Sequence, residues 1–198
     1  MTGTGPRSDW DAGWWRHARR VPSPNFGPRP PGAQVELVVL HSISLPPGEY
    51  GGDAIERLFT NTLDWSAHPY FETIRGLEVS AHFVVRRDGE VLQFVSVDDR
   101  AWHAGNSCWD GREDCNSWSI GIELEGLEGE EFTLAQYAAL VALLRSIDSV
   151  RPVRHVVGHE HVAPGRKHDP GPGFDWAVLA AQLGWAPARI PPATPQEH

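Results

Sequence analysis

Four of the chain's ten histidines fall in one stretch, Arg154-His-Val-Val-Gly-His-Glu-His-Val-Ala-Pro-Gly-Arg-Lys-His-Asp-Pro-Gly-Pro172. Histidine and carboxylate are the usual ligands of a catalytic zinc, which takes three protein ligands and keeps a fourth position for water. The only cysteines are Cys108 and Cys115, too few for a thiolate site, so a metal here would be held by nitrogen and oxygen. His41 is a further source, because it ends the apolar run Val35–Leu40. A ligand at a strand end is fixed by the core yet opens into a cleft. Spacing alone leaves the ligand set open. His155 and His159 are four apart, as in a helical zinc pair, but the intervening Val156-Val157-Gly158 favours strand or turn. The helical HExxH motif is absent. His159 and Asp169 lie ten apart across Pro164-Gly165, a loop able to fold both onto one ion. The alternative is a histidine-rich loop with no metal.

Three more groups invite chemistry. In Trp118–Glu125, Trp118, Ile120, Ile122 and Leu124 alternate with Ser119, Gly121, Glu123 and Glu125, the pattern of a strand with two unlike faces. Glu123 would be a general base if its face lines a cleft; on a solvated outer face it would do nothing. Glu125 shares that face, and the pattern does not separate them. Lys167 is the single lysine against sixteen arginines, two residues before Asp169. Its ammonium could compensate a developing oxyanion, or it is an ordinary solvated lysine; the ratio itself is compositional bias. Trp102, in Arg100-Ala-Trp-His-Ala-Gly105, sits among small and polar residues suited to a pocket wall, with His103 and His82 near the same cleft.

These residues must be mounted on a frame. Val35–Leu40 reads as a buried strand. Asp53 can cap a helix that places Ile55, Leu58, Phe59 and Leu63 on one face. Ala81–Arg86 and Glu90–Val95 flank Asp88-Gly89, a hairpin signal. Thr133 with Gln136 makes a capping-box pattern before an apolar helix to about Ile147, and Asp175 can cap a last helix ending near Gly184. The order implies a single α/β domain, a central mixed β-sheet with packed helices. The proline-rich stretch 20–32 is expected to cross the surface in extended form. The expected boundaries are a flexible N-terminus at 1–8, a domain at 9–185 and a proline-rich disordered tail at 186–198.

Composition narrows the function. The 198 residues are 40% hydrophobic and 22% charged, with a net charge of -9, suiting one globular domain and arguing against a nucleic-acid binder. No apolar run approaches the ~20 residues of a membrane span, and the first 20 residues show no secretory signal. A cytoplasmic protein with free thiols is expected.

Ordered stretches then carry a resemblance: Arg20-Val-Pro-Ser-Pro-Asn25, Val39 to Gly52, His68-Pro-Tyr-Phe71, Val79-Ser-Ala-His82, Arg87-Asp-Gly89, Arg100 to Gly105, Ser119-Ile-Gly-Ile-Glu-Leu-Glu-Gly126, and Gly158-His159 through Trp176. From about residue 10 to 184 the chain resembles the AmpD-type N-acetylmuramoyl-L-alanine amidases, zinc enzymes of bacterial cell-wall recycling. The resemblance implies a fold shared with phage lysozyme-type amidases and peptidoglycan-recognition proteins. It implies zinc on His41, His159 and Asp169, with Glu123 and Lys167 catalytic, and so excludes His155, His161, His168 and Glu125. Substrate contacts are expected from Ser42, Trp102, His103 and Arg166. The implied reaction cuts the amide between the lactyl group of N-acetylmuramic acid, preferably the 1,6-anhydro form, and L-alanine of the stem peptide. The expected partner is that muropeptide, with no nucleic acid and no membrane, and the expected state is a monomer. The chain departs from the family at Ser42, where asparagine is common, and at Glu78 and Asp114, where some members carry arginine; stem-peptide recognition then rests more on Arg166. Two other readings remain: a binding module of the same fold without catalysis, and another histidine–aspartate metallohydrolase.

Overall fold

The two longest extended segments, one opening with the continuous apolar run Leu37–Leu40 and the other apolar on alternate residues, pair with each other at the centre of the molecule. In the computed structural model, which describes residues 9–191, the central sheet has six strands. They are β1 (Arg19–Arg20), β2 (Leu37–Ile43), β3 (Phe83–Val85), β4 (Val91–Gln93), β5 (Ser119–Glu125) and β6 (His155–Gly158). Their spatial order is β6-β2-β5-β3-β4-β1. All neighbours run parallel except the β3–β4 hairpin, so the sheet is mixed. The hairpin turns at Asp88-Gly89, as its sequence predicts. Gly89 has φ +90°, and a Cβ there would press on the Ala135 carbonyl.

One face of the sheet carries the main core. Val38, Leu40, Ile120, Ile122, Leu124 and Val156 pack against helices α3 (Leu134–Val150) and α5 (Trp176–Leu183). The start of α3 is the predicted capping box: Thr133 Oγ1 accepts from Gln136 N–H at 3.1 Å and Gln136 Oε1 accepts from Thr133 N–H at 3.0 Å. The Gln136 amide also donates to the Glu125 carbonyl at 2.9 Å, tying the helix to the end of β5. Asp175 caps α5 through bonds from Ala177 and Val178 N–H, each 2.9 Å; losing such a cap costs about 1 kcal/mol.

The opposite face carries a smaller cluster of Leu37, Val39, Ala104, Cys115, Trp118, Val157 and Val162. Every residue of β5 is buried, as befits a strand with parallel neighbours and both faces covered. The solvated outer face weighed for Glu123 is therefore absent. Trp118 departs from the expected alternation because the strand starts at Ser119, and its ring joins the smaller cluster.

A third cluster packs α1 (Ala54–Phe59) and α2 (Pro69–Thr73) beside the sheet. Here α1 is shorter than expected. Asp53 occupies the N-cap position, but its carboxylate bonds Arg57 at 2.8 Å and caps no backbone N–H. A short α4 (His159–Val162) follows β6 directly.

Two boundaries shift. The stretch 20–32 is extended, yet Ser23 and Asn25 are buried. Arg29 reaches inward to donate to the carbonyls of Ser119 (2.9 Å), Val97 (3.2 Å) and Asn116 (3.3 Å). At the other end the expected disordered tail from Ala186 begins too early. Pro187–Arg189 form a 3-10 turn and Ile190 is buried in the main core, so an apolar anchor holds the chain past residue 185. Residues 1–8 and the remainder of the tail lie outside the described residues. No described helix is long and apolar enough to cross a membrane.

Candidate metal centre and active site

The parallel register does the first part of the positioning. His41 on β2 pairs with Glu123 on β5, and paired residues of neighbouring strands point to the same face. On the other side of β2, Gly158 pairs with Leu40, so His159 emerges one step further on, level with His41. Three side chains thus meet at the carboxyl ends of adjacent strands, where open α/β sheets place their ligands. Asp169 is brought back over α4, where its carbonyl accepts from Glu160 N–H at 3.0 Å.

The result is a tight triangle of donor atoms. His41 Nδ1 lies 2.9 Å from His159 Nδ1, and each lies 3.1 Å from Asp169 Oδ2. All three residues are buried, and the group could hold a metal ion. A tetrahedral zinc with bonds of ~2.0–2.1 Å to nitrogen and oxygen has ligand–ligand edges of roughly 3.3 Å. The observed sides are close to that. The set is two imidazoles and one carboxylate, the donor chemistry of a three-ligand zinc site. Burial holds His41 down to about 4, against the opposing pull of Asp169, so its imidazole is neutral near pH 7, as a ligand must be.

Glu123 stands beside this triangle with only 9% of its surface exposed. Its Oε2 is buried and has no hydrogen-bond partner among the described residues. Burial drives its pKa well up, the Asp169 charge adds to this, and Lys167 partly offsets it. A desolvated carboxyl beside such a donor set can exchange a proton with a group bound in the cleft. Lys167, half-buried, lines the same cleft as His41, Glu123, His159 and Asp169. The cleft measures about 650 Å³ and has an apolar wall that includes Leu45, Tyr70, Ile74 and Leu77.

Ser42, Trp102 and His103 also line it. Arg166 does not: its Nη2 donates to the carbonyls of Ala104 (2.7 Å) and Asn106 (2.6 Å). Asp114 accepts from Arg100 at 2.8 Å. The other histidines of the cluster are elsewhere. His155 packs edge-on against Trp109, His161 accepts from Gly158 N–H at 2.8 Å, and His168 is exposed. Glu125, on the same face of β5 as Glu123, is held by Arg86 (2.8 Å) and by Gly51 and Arg87 N–H (2.8 and 3.1 Å). Sequence reasoning missed the apolar wall of Leu45, Tyr70, Ile74 and Leu77 and the polar residues behind the ligands, Asn116 and Ser119. The alternation that singled out Glu123 also put Ser119 on its face, and was the one available signal.

Comparison with known proteins agrees with this geometry. A family profile described as N-acetylmuramoyl-L-alanine amidase matches residues 31–172. The 1,6-anhydro-N-acetylmuramyl-L-alanine amidase AmpD of Citrobacter freundii is 53% identical over 173 residues, spanning 86% of this chain and 92% of that protein. The crystal structure of a selenomethionine derivative of AmpD superposes with a TM-score of 0.86 at 52% identity, covering 87% of this chain and 98% of that one. The Escherichia coli amidase AmiD, solved with the substrate anhydro-N-acetylmuramic acid-L-Ala-D-gamma-Glu-L-Lys, superposes with a TM-score of 0.56 at 29% identity, covering 78% of this chain and 60% of that one. With the profile spanning most of its length and its buried donor triangle in place, the chain belongs to the N-acetylmuramoyl-L-alanine amidase family.

Proposed function

We propose that this chain is a zinc-dependent amidase that hydrolyses the bond between the lactyl carbonyl of N-acetylmuramic acid, preferably the 1,6-anhydro form, and L-alanine of the stem peptide. It would do so as a monomer in the cytoplasm, during peptidoglycan recycling. The observation that carries this reading is the donor triangle of His41, His159 and Asp169 beside a buried, unpartnered Glu123, in a chain so similar to AmpD amidases. Those three residues would hold the zinc, which supplies Lewis acidity toward water and an amide carbonyl. Glu123 receives the proton of the attacking water and passes it to the leaving amine nitrogen of L-alanine. Lys167 faces the oxygen on which negative charge develops. The apolar wall and Trp102 hold the sugar and keep bulk water from Glu123. Arg166, turned onto its own loop, meets the stem peptide only through whichever N–H groups that loop leaves free.

The test is incubation of the zinc-loaded chain with anhydro- and reducing-end muropeptides, with mass spectrometry for free stem peptide. Release that is faster from the anhydro form, stops with chelator and returns with zinc is the expected result. Absence of release from both substrates would overturn the reading.

A further inference from the structure

The two ligand histidines are not left to choose their own tautomers. Each is met from behind by a successive residue of one loop. His159 Nε2 lies 3.1 Å from the Ala104 carbonyl, which can only accept, so His159 carries its proton on Nε2 and bares Nδ1. His41 Nε2 lies 3.0 Å from His103 Nδ1, and there either nitrogen could donate.

The ambiguity is resolved two bonds further on. Ser119 Oγ is 2.6 Å from the Cys115 carbonyl and 3.2 Å from His103 Nε2. A hydroxyl has one proton, and the carbonyl must receive it. Ser119 can then only accept from His103, which places the His103 proton on Nε2. His103 Nδ1 is left as an acceptor, and His41 donates to it from Nε2. The polarity runs His41 to His103 to Ser119 to a backbone carbonyl, and it ends with His41 Nδ1 bare toward His159 and Asp169.

The surroundings are built for this relay. A Cβ on Gly121 would lie 2.4 Å from His103 Cγ, so the ring sits in space that only glycine leaves open. Asn116 Oδ1 accepts from both His103 N–H (3.0 Å) and Ala104 N–H (2.8 Å), and Arg166 holds the Ala104 carbonyl from outside. Along one face of β5, Ser119 terminates the relay, Gly121 seats it and Glu123 enters the site.

We propose that His103 is a positioning residue which, through Ser119, fixes His41 in the tautomer that offers Nδ1 to a metal, while the adjacent Ala104 carbonyl does the same for His159. The proposal rests on the reading that His41, His159 and Asp169 hold zinc. It moves His103 from the substrate side of the cleft to the support of a ligand. Which ring nitrogen is free is set by the bond the other makes, and removing such support typically weakens metal binding about 10- to 100-fold.

The experiment uses the full chain, ¹⁵N-labelled and zinc-loaded, with long-range ¹H–¹⁵N spectra of the imidazoles at pH 7.5. Zinc affinity is measured separately by competition with a chromophoric chelator. His41, His103 and His159 should all carry their proton on Nε2. His103→Leu should weaken zinc binding about 10- to 100-fold. His103→Asn, whose Oδ1 replaces the acceptor at the Nδ1 position, should restore most of it. Ser119→Ala should move the His41 proton toward Nδ1; should that variant not fold, the leucine–asparagine pair decides the point. A His41 proton on Nδ1 in the unsubstituted chain, or unchanged zinc affinity in His103→Leu, overturns the proposal. An unsubstituted chain that binds no zinc overturns the metal reading beneath it.

Discussion

Two carboxylates on one strand, two residues apart and on the same face, have opposite surroundings. Glu125 is 1% exposed and accepts from a guanidinium and two backbone N–H groups; Glu123 is 9% exposed and has an oxygen with no donor. Burying a carboxylate without compensation is costly, so the fold satisfies one and leaves the other in want of a proton. The cause is the strand neighbours. Glu123 lies abreast of His41, whereas Glu125 lies abreast of Ile43, where Arg86 closes a network through Glu56 to Arg19. The first leaves a carboxyl oxygen without a partner beside the donor triangle, the second ties the end of β5 to Arg86 and two backbone N–H groups, and residue type does not distinguish them.

The sharpest break of this contrast is at the ligand. Asp169→Ala removes one corner of the triangle and should abolish both zinc retention, read by metal analysis, and turnover. Glu123→Gln should keep the zinc but lower kcat roughly a hundred- to ten-thousand-fold, with the melting temperature unchanged or raised, since no bond to Oε2 is lost. Full activity in that variant would make the contrast empty. Glu125→Ala should do the reverse. It strands the buried Arg86, at a cost of about 3 kcal/mol, softened because Glu56 still bonds Arg86 at 2.9 Å. Thermal unfolding should show a drop of roughly 6–12 °C while the folded fraction keeps its kcat.

The smallest effect lies two residues before Glu123 on the same strand, where His82 Nδ1 accepts from Gly121 N–H at 3.0 Å. Burial, then Arg29, pushes His82 down to about 3, against about 6.5 unfolded. Above pH 6.5 both states are neutral and the group adds nothing to the pH dependence. Between about 6.5 and 3 only the unfolded chain takes up the proton, so stability falls with pH at about 1.4 kcal/mol per unit from this residue. Urea unfolding of the metal-free chain at pH 7, 6 and 5 should show a slope shallower by that amount in His82→Asn.

Local pattern was enough for the frame. Alternation marked β5, Asp88-Gly89 marked the hairpin, and Thr133 with Gln136 marked the start of α3, because each signal lies within a few residues of what it determines. The site did not yield in the same way. His41 meets His159 and Asp169 across 118 and 128 residues, and no periodicity connects such positions, so spacing left His155 and His159 competing and the family resemblance carried the ligand set. The same limit left Glu123 and Glu125 unseparated, and hid that Arg166 folds back on its own loop. Proline content past Ala186 describes the backbone alone and carries no sign of Ile190, which is buried by what it packs against.

Arg29 has a consequence for where this protein can be cut. Its guanidinium, pushed down to about 10 by burial, is a donor to three carbonyls, one of them that of Ser119, whose hydroxyl ends the His103 relay. The family profile starts at residue 31. A fragment trimmed to that start would keep every ligand and Glu123 yet leave those three carbonyls without their donor, together with the buried Asn25 that ties Val79 to Asn61. The segment that identifies the family is therefore shorter than the segment whose contacts hold the site in place.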